Sequence, residues 1–266
     1  MSKSVLVDLT LCTGCRGCQV ACKEWNERKA VKTTLNGNFT NPVKMSADTY
    51  THIRFVEGLK DGSPVWNFVK DQCLHCEHPA CASACPVEAL TKNVDGAVVY
   101  NFDKCIGCRY CMVACPFDIP KYEWDKVLPA VQKCTFCSER IKDNMSPACV
   151  ATCPSGALLF GERKDNLAEA KSRIKANPKG YVKHIYGEKE AGGTSWMYLS
   201  DVPFKDLGFK QKVSNKALPS FTWAQLGTLP GKAAVIATGL TALAVFRNRG
   251  NTDDETKTTE TEAEVE

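Results

Sequence analysis

The sequence predicts an α+β chain in which a small cysteine-rich unit is duplicated, interrupted by an insertion and followed by a C-terminal hydrophobic helix. Three observations predict it. First, sixteen cysteines stand in four groups of four with none left over: Cys12, Cys15, Cys18, Cys22; Cys73, Cys76, Cys81, Cys85; Cys105, Cys108, Cys111, Cys115; and Cys134, Cys137, Cys149, Cys153. Second, Pro-Val-Glu-Ala-Leu after Cys85 returns as Pro-Ser-Gly-Ala-Leu after Cys153, the trace of an internal repeat. Third, Ala233–Phe246 is apolar throughout except for Thr and Gly, and the stretch extends back to Leu226 across Pro230 and Lys232.

The cysteine spacing carries the chemistry. The first and third groups read C-x2-C-x2-C-x3-C; the second and fourth stretch one gap, to x4 and x11. Three groups end in Cys-Pro, at Cys85-Pro86, Cys115-Pro116 and Cys153-Pro154. This is the ligand run of a [4Fe–4S] cubane in bacterial ferredoxins, so four runs predict four cubanes in two ferredoxin-like [4Fe–4S] units. Three thiolates spaced by two residues let one loop wrap a face of the cube. The last Cys of each run is expected to start a helical turn leading away and to ligate the neighbouring cluster. Spacing leaves nested pairing (second run with third, first with fourth) and sequential pairing both open. Zinc knuckles also use C-x2-C, but they are set far apart rather than packed three to seven residues. A disulfide framework needs scattered cysteines in a small secreted domain.

The elements follow in order. Val5–Leu9 reads as a strand feeding the first loop. The insertion between the first two runs holds a hairpin candidate: His52–Glu57 and Val65–Lys70 are rich in β-formers, with Asp61-Gly62-Ser63-Pro64 as the turn. Gly96–Asn101 is the expected strand between two cluster loops, and Ala157–Phe160 repeats it after the fourth run. Asp165 caps an expected helix over Leu167–Ala176, which Pro178 and Gly180 stop. His75 and His78 lie inside a run whose four positions are already Cys, so packing or hydrogen bonding beside the cluster is the better reading. Trp25, Trp66, Trp124, Trp196 and Trp223 read as core or subunit-contact residues.

The domain reading is a four-cluster electron-transfer domain over 1–210, with ferredoxin-type segments at about 3–33, 64–95, 96–125 and 126–162. A linker spans 211–225, a transmembrane or partner-packing helix 226–246, and an acidic disordered tail 247–266. From Leu226, the apolar segment makes a helix of about 31 Å, near the roughly 30 Å hydrocarbon core. Arg247 and Arg249 follow it, which fits a cytoplasmic C-terminus. Residues 250–266 hold two Asp, five Glu and one Lys. Met1-Ser2-Lys3-Ser4 leads straight into a strand, so no signal peptide is expected.

Composition is globular, 44% hydrophobic and 24% charged, with a formal net charge of +4. Four cubanes at about −2 each bring the holoprotein near −4, so the basic excess is cluster compensation and no nucleic-acid partner is expected. No Walker loop, G-x-G-x-x-G after a strand or nucleophile elbow is present, and no residue set proposes chemistry on an organic substrate. The chain is therefore read as non-catalytic.

With these residues in view, the chain resembles the four-cluster iron–sulfur (β) subunits of molybdopterin oxidoreductases. Cys-Thr-Gly-Cys-Arg-Gly-Cys-Gln-Val-Ala-Cys at 12–22, Cys-Ile-Gly-Cys-Arg-Tyr-Cys-Met-Val-Ala-Cys-Pro-Phe-Asp-Ile-Pro at 105–120 and Lys-Cys-Thr-Phe-Cys at 133–137 carry the likeness. Lys23-Glu24-Trp25-Asn26, Tyr186-Gly187-Glu188, Gly192-Gly193-Thr194 and the single C-terminal apolar segment look most like the membrane-bound formate dehydrogenase branch. The resemblance implies nested pairing. Cluster 1 would take Cys12, Cys15, Cys18 and Cys153, and cluster 2 Cys22, Cys134, Cys137 and Cys149. Cluster 3 would take Cys73, Cys76, Cys81 and Cys115, and cluster 4 Cys85, Cys105, Cys108 and Cys111. It also implies a catalytic partner with a molybdenum or tungsten bis-pterin that oxidises formate, and a membrane cytochrome b or quinone-reactive subunit. The alternatives are the equivalent subunit of a reductase of dimethyl sulfoxide, polysulfide or a related sulfur, selenium or arsenic compound, and a soluble polyferredoxin carrier. The implied location is a bacterial inner membrane, on the periplasmic face with a cytoplasmic C-terminus, the cytoplasmic face being the alternative.

Overall fold

The strand Val5-Leu6-Val7 is apolar at every position because both its faces are covered. Successive side chains of a strand point to opposite sides, and here Val5 and Val7 enter one core while Leu6 enters another. In this computed structural model, residues 2–34, 37–60, 62–215 and 218–262 are described, by backbone alone at 60, 218–220 and 249–262. Asp61 of the expected turn lies outside the described residues, as do Lys216 and the last four residues of the tail.

The elements run β1 (Lys3–Asp8), α1 (Gly17–Trp25), β2 (Thr51–Lys60), β3 (Ser63–Gln72), α2 (Ala80–Ser83), β4 (Leu90–Lys92), β5 (Val98–Tyr100), α3 (Tyr110–Ala114), β6 (Lys121–Tyr122), β7 (Val131–Gln132), α4 (Ser138–Lys142), α5 (Ala148–Ala151), β8 (Leu158–Glu162), α6 (Arg163–Ala176), β9 (Trp196–Leu199), α7 (Leu218–Leu226) and α8 (Leu229–Glu262). The architecture is α+β. β1 is the centre of a three-stranded sheet, antiparallel to β8 and parallel to β9. The other strands form three two-stranded antiparallel ribbons, β2–β3, β4–β5 and β6–β7.

This topology brings distant cysteine runs together. β1 leads into the first run and β8 leaves the fourth, and the two are hydrogen-bonded from Lys3↔Glu162 to Val7↔Leu158. The helices agree: α1 of the first run packs on α5 of the fourth, and α2 of the second on α3 of the third. The insertion forms the expected hairpin, two ten-residue strands in register from Thr51↔Gln72 to Lys60↔Ser63.

Two expectations about the helices need correction. The last Cys of a run does not start a helix. The third Cys lies inside each short helix, and the fourth ends it or follows it in the three Cys-Pro runs. Proline disfavours the helical conformation in the residue before it, so α2, α3 and α5 stop. In the first run Lys23 stands in place of proline, and α1 continues to Trp25. Asp165 is not the cap of α6: β8 runs directly into that helix, Glu162 takes the cap position, and Asp165 falls in the first turn, where its charge suits the helix dipole. Asn166 ties α6 to β1 by donating to the Ser4 carbonyl at 3.1 Å.

The C-terminal part forms a second unit, Ser220–Glu266, apart from Met1–Pro219. The segment read as a linker is helical from Leu218, and the tail read as disordered continues α8 as far as Glu262. One segment among the described residues, Phe221–Asn248, is long and apolar enough to cross a membrane, an 18-residue stretch of it having a mean hydropathy of 1.6. Val235, Ile236, Leu240, Leu243 and Phe246 along it are each more than half exposed in the isolated chain.

Candidate metal centre

Each cysteine loop uses the same backbone device. The residue before the second Cys has a left-handed conformation in all four runs: Gly14 (φ 67°), His75 (φ 49°), Gly107 (φ 70°) and Phe136 (φ 60°). That twist folds the loop so that backbone amides turn toward sulfur. Gly107 N–H donates to Cys105 Sγ at 3.4 Å and Phe136 N–H to Cys134 Sγ at 3.4 Å. The turns after the Cys-Pro pairs repeat as well. Glu88, Asp118 and Gly156, each three residues past the last Cys, are left-handed. After the first of these turns Ala89 N–H reaches Cys85 Sγ at 3.2 Å. Amide donors to sulfur stabilise its negative charge and tune a cluster's potential.

The fold gathers the thiols across runs. One cavity is lined by Cys12, Cys15, Cys18 and Cys153 with Lys70 at its wall. A second is lined by Cys22, Cys134, Cys137 and Cys149, again with Lys70. In the other half, burial and then the charges of Cys73, Cys115 and Cys81 push the Cys76 thiol well up. Burial and then Cys108, Cys105 and Cys85 push Cys111 up to about 11. Burial also raises Cys18 to about 11 and Cys22 and Cys81 to about 12. Such thiols give up their protons when iron replaces them, so metal loading and folding of these loops are coupled.

The arrangement fits cubanes. Each cavity offers four thiols around its wall, whereas among the described residues no three His, Cys, Asp or Glu side chains converge tightly enough for one metal ion. A cubane asks for a thiolate at each of four separated corners, a zinc ion for four ligands at one point.

Thiols of different runs also share buried clusters, Cys22, Cys73 and Cys134 in one and Cys81 and Cys111 in another. Cys18 and Cys22 lie one turn apart in α1. Cys134 feels the charge of Cys73, and Cys81 that of Cys111. Two cysteines are exposed, Cys15 and Cys108, one in the first cavity and one beside Cys111.

Of the two histidines inside the second cysteine run, His75 is fully buried. Its Nδ1 accepts the Val98 N–H at 2.8 Å, its ring lies 5.0 Å from Phe136, and Nε2 has no hydrogen-bond partner among the described residues. Of the tryptophans, Trp196 alone is core; Trp25, Trp66, Trp124 and Trp223 are 41–70% exposed. Sequence reasoning missed Lys70 as part of the site, because nothing but the register of β3 places it between the two cavities.

Two 4Fe-4S dicluster domain families match the chain, one over residues 11–89 and one over 64–163. The nitrate-inducible formate dehydrogenase iron–sulfur subunit of Escherichia coli K12 is 41% identical over 197 residues, 73% of this chain and 66% of that protein. The formate dehydrogenase iron–sulfur subunit of Haemophilus influenzae is 38% identical over 198 residues, covering 73% and 63%. The hydrogenase-2 operon protein HybA of Escherichia coli O157:H7 is 36% identical over 244 residues, covering 77% and 72%. The chain thus spans just under two thirds of the length of the formate dehydrogenase subunits it matches. Sixteen cysteines and two dicluster domains correspond to four [4Fe–4S] clusters. The chain belongs to the family of four-cluster iron–sulfur electron-transfer subunits that includes the formate dehydrogenase iron–sulfur subunits and HybA.

Proposed function

We propose that this chain is the electron-transfer subunit of a molybdenum or tungsten oxidoreductase, linking formate oxidation in a catalytic subunit to a membrane cytochrome b or quinone-reactive subunit. The clusters supply one-electron transfer when bound. The chain's own residues hold and shield them in the nested quartets: Cys12, Cys15, Cys18 and Cys153; Cys22, Cys134, Cys137 and Cys149; Cys73, Cys76, Cys81 and Cys115; Cys85, Cys105, Cys108 and Cys111.

The observation that carries this reading is the continuity of thiols from one exposed end to the other. Cys15 and Cys108 are the exposed thiols, and between them Cys22, Cys134 and Cys73 share one buried cluster and Cys81 and Cys111 another, which supports a row running first, second, third, fourth. Such a row suits transfer between two partners. The formate dehydrogenase relatives favour formate as the source of electrons. HybA, the relative covered most fully of the three, favours a second reading in which the same row serves a hydrogenase.

The exposed apolar helix within Phe221–Asn248 supports anchoring in a bacterial inner membrane, and Arg247 and Arg249 after it favour a C-terminus inside, which would put the four-cluster unit on the periplasmic face. The test is to purify the native complex anaerobically on a tag at residue 2 and assay viologen reduction. Formate-dependent reduction is expected. Hydrogen-dependent reduction without formate activity would move the assignment to the second reading. Oxidation of reduced viologen by dimethyl sulfoxide or polysulfide alone would reject both.

A further inference from the structure

Lys70 is an ammonium sealed inside the protein without a carboxylate. It lies on β3, is 2% exposed as a residue, and among the described residues no Asp or Glu pairs with it. Its Nζ donates to two neutral acceptors, Thr51 Oγ1 at 2.8 Å and Gln72 Oε1 at 2.9 Å, and lies 4.4 Å from the centroid of the Trp196 ring. The surroundings are built to hold it. Gln72 donates in turn to Tyr198 Oη at 2.5 Å, and Tyr198 Oη donates back to the Lys70 carbonyl at 3.0 Å. A buried cation with neutral neighbours alone carries a large desolvation penalty unless an anion lies close by.

The cavities that would hold anionic clusters lie on either side. Lys70 lines the cavity of Cys12, Cys15, Cys18 and Cys153 and also that of Cys22, Cys134, Cys137 and Cys149. Among the described residues no other lines both. A cubane with four thiolates carries about −2 when oxidised and −3 when reduced. A fixed positive charge favours the more negative state, and in a low-dielectric interior it acts on both neighbours at once.

We propose that Lys70 is a positioning cation shared by the first and second clusters, the common counterion that raises the reduction potential of both and keeps them matched for transfer between them. This rests on the nested quartets proposed above. It gives the insertion between the first two cysteine runs a purpose: the hairpin β2–β3 delivers one charge to the middle of one half of the row. The neutral surroundings matter to this role, since a carboxylate partner would cancel the charge before either cluster felt it.

The test is an EPR-monitored redox titration of the anaerobically purified complex, with dithionite as the electron source. Signals are first assigned with Cys15→Ser and Cys137→Ser, each of which is expected to alter one distinct centre. If both alter the same centre, the quartet reading fails, while the effect of Lys70 is still read on the signals themselves. Lys70→Met keeps the length of the side chain and removes the charge. The expected result is a fall in the midpoint potentials of the first and second centres, with the third and fourth unmoved. Lys70→Arg keeps the charge and is expected to leave all four near the parent values. Four unmoved potentials in a fully loaded Lys70→Met protein would overturn the proposal, as would a shift confined to one centre or spread equally over four. Should Lys70→Met lose iron, Lys70→Arg is expected to retain it; loss of iron from both would assign Lys70 to packing and overturn the proposal.

Discussion

At the scale of the residue, the sites are set by backbone conformation as much as by cysteine. Gly14 shows both constraints. Its φ of 67° is left-handed, and a Cβ there would lie 2.8 Å from the Phe68 ring, on the hairpin strand that also carries Lys70. Gly156 has nearly the same φ, 65°, with nothing within 4 Å. The two glycines therefore separate strain from crowding. Gly156→Ala is expected to cost about 1–2 kcal/mol, the left-handed penalty alone. Gly14→Ala is expected to cost more and to release iron from the first cluster earlier on heating. Anaerobic thermal melts followed by cluster absorbance check the order; equal midpoints for the two variants would show that Phe68 does not limit the loop.

At the scale of the element, proline decides where the cluster helices stop. α2, α3 and α5 end beside Cys-Pro pairs, while α1, with Lys23 in that place, runs on to Trp25. The extra length is used. Lys23 Nζ donates to the Asp48 carbonyl at 2.5 Å and the Lys29 carbonyl at 2.9 Å, and Arg140 stacks over Trp25 at 4.6 Å. Lys23→Pro is expected to break α1 and cost about 3 kcal/mol, the penalty of proline inside a helix. Pro116→Ala is expected to cost about 0.4–1 kcal/mol through the unfolded chain alone. Thermal stability of the two loaded variants checks this, and a Lys23→Pro protein as stable as Pro116→Ala would contradict it.

Elements were legible in the sequence where local patterning was strong. The hairpin stood out through two runs of β-formers around a Gly-Ser-Pro turn, and β1 and β8 through their apolar positions. β9 did not. Its four residues, Trp196–Leu199, are all buried and show no alternation, and its parallel pairing with β1 spans most of the chain. α4 was hidden for a related reason: Ser138–Lys142 lies within the long gap of the fourth run, where the sequence carries no apolar period. The start of α6 was displaced because a strand that enters a helix without a loop leaves no capping residue to see.

At the scale of the whole molecule, the cysteine count announced the clusters, and the resemblance supplied the nested quartets. The topology supports nesting through β1 beside β8, α1 on α5 and α2 on α3. Spacing alone left sequential pairing open, because strand order is a long-range property. The same holds for Lys70, which needs the register of β3 against β2 to face the cavities. The C-terminal unit was legible as an apolar helix, and its acidic continuation was not, since charge alone argues for coil.

The sixteen cysteines of this one chain correspond to four cubanes. The most direct measurement is iron and acid-labile sulfide per chain in anaerobically purified protein, joined to a reductive EPR titration. About sixteen irons, about sixteen sulfides and four one-electron centres that show spin coupling on full reduction are predicted. Zinc in place of iron, about eight irons, or fewer centres without coupling would contradict it.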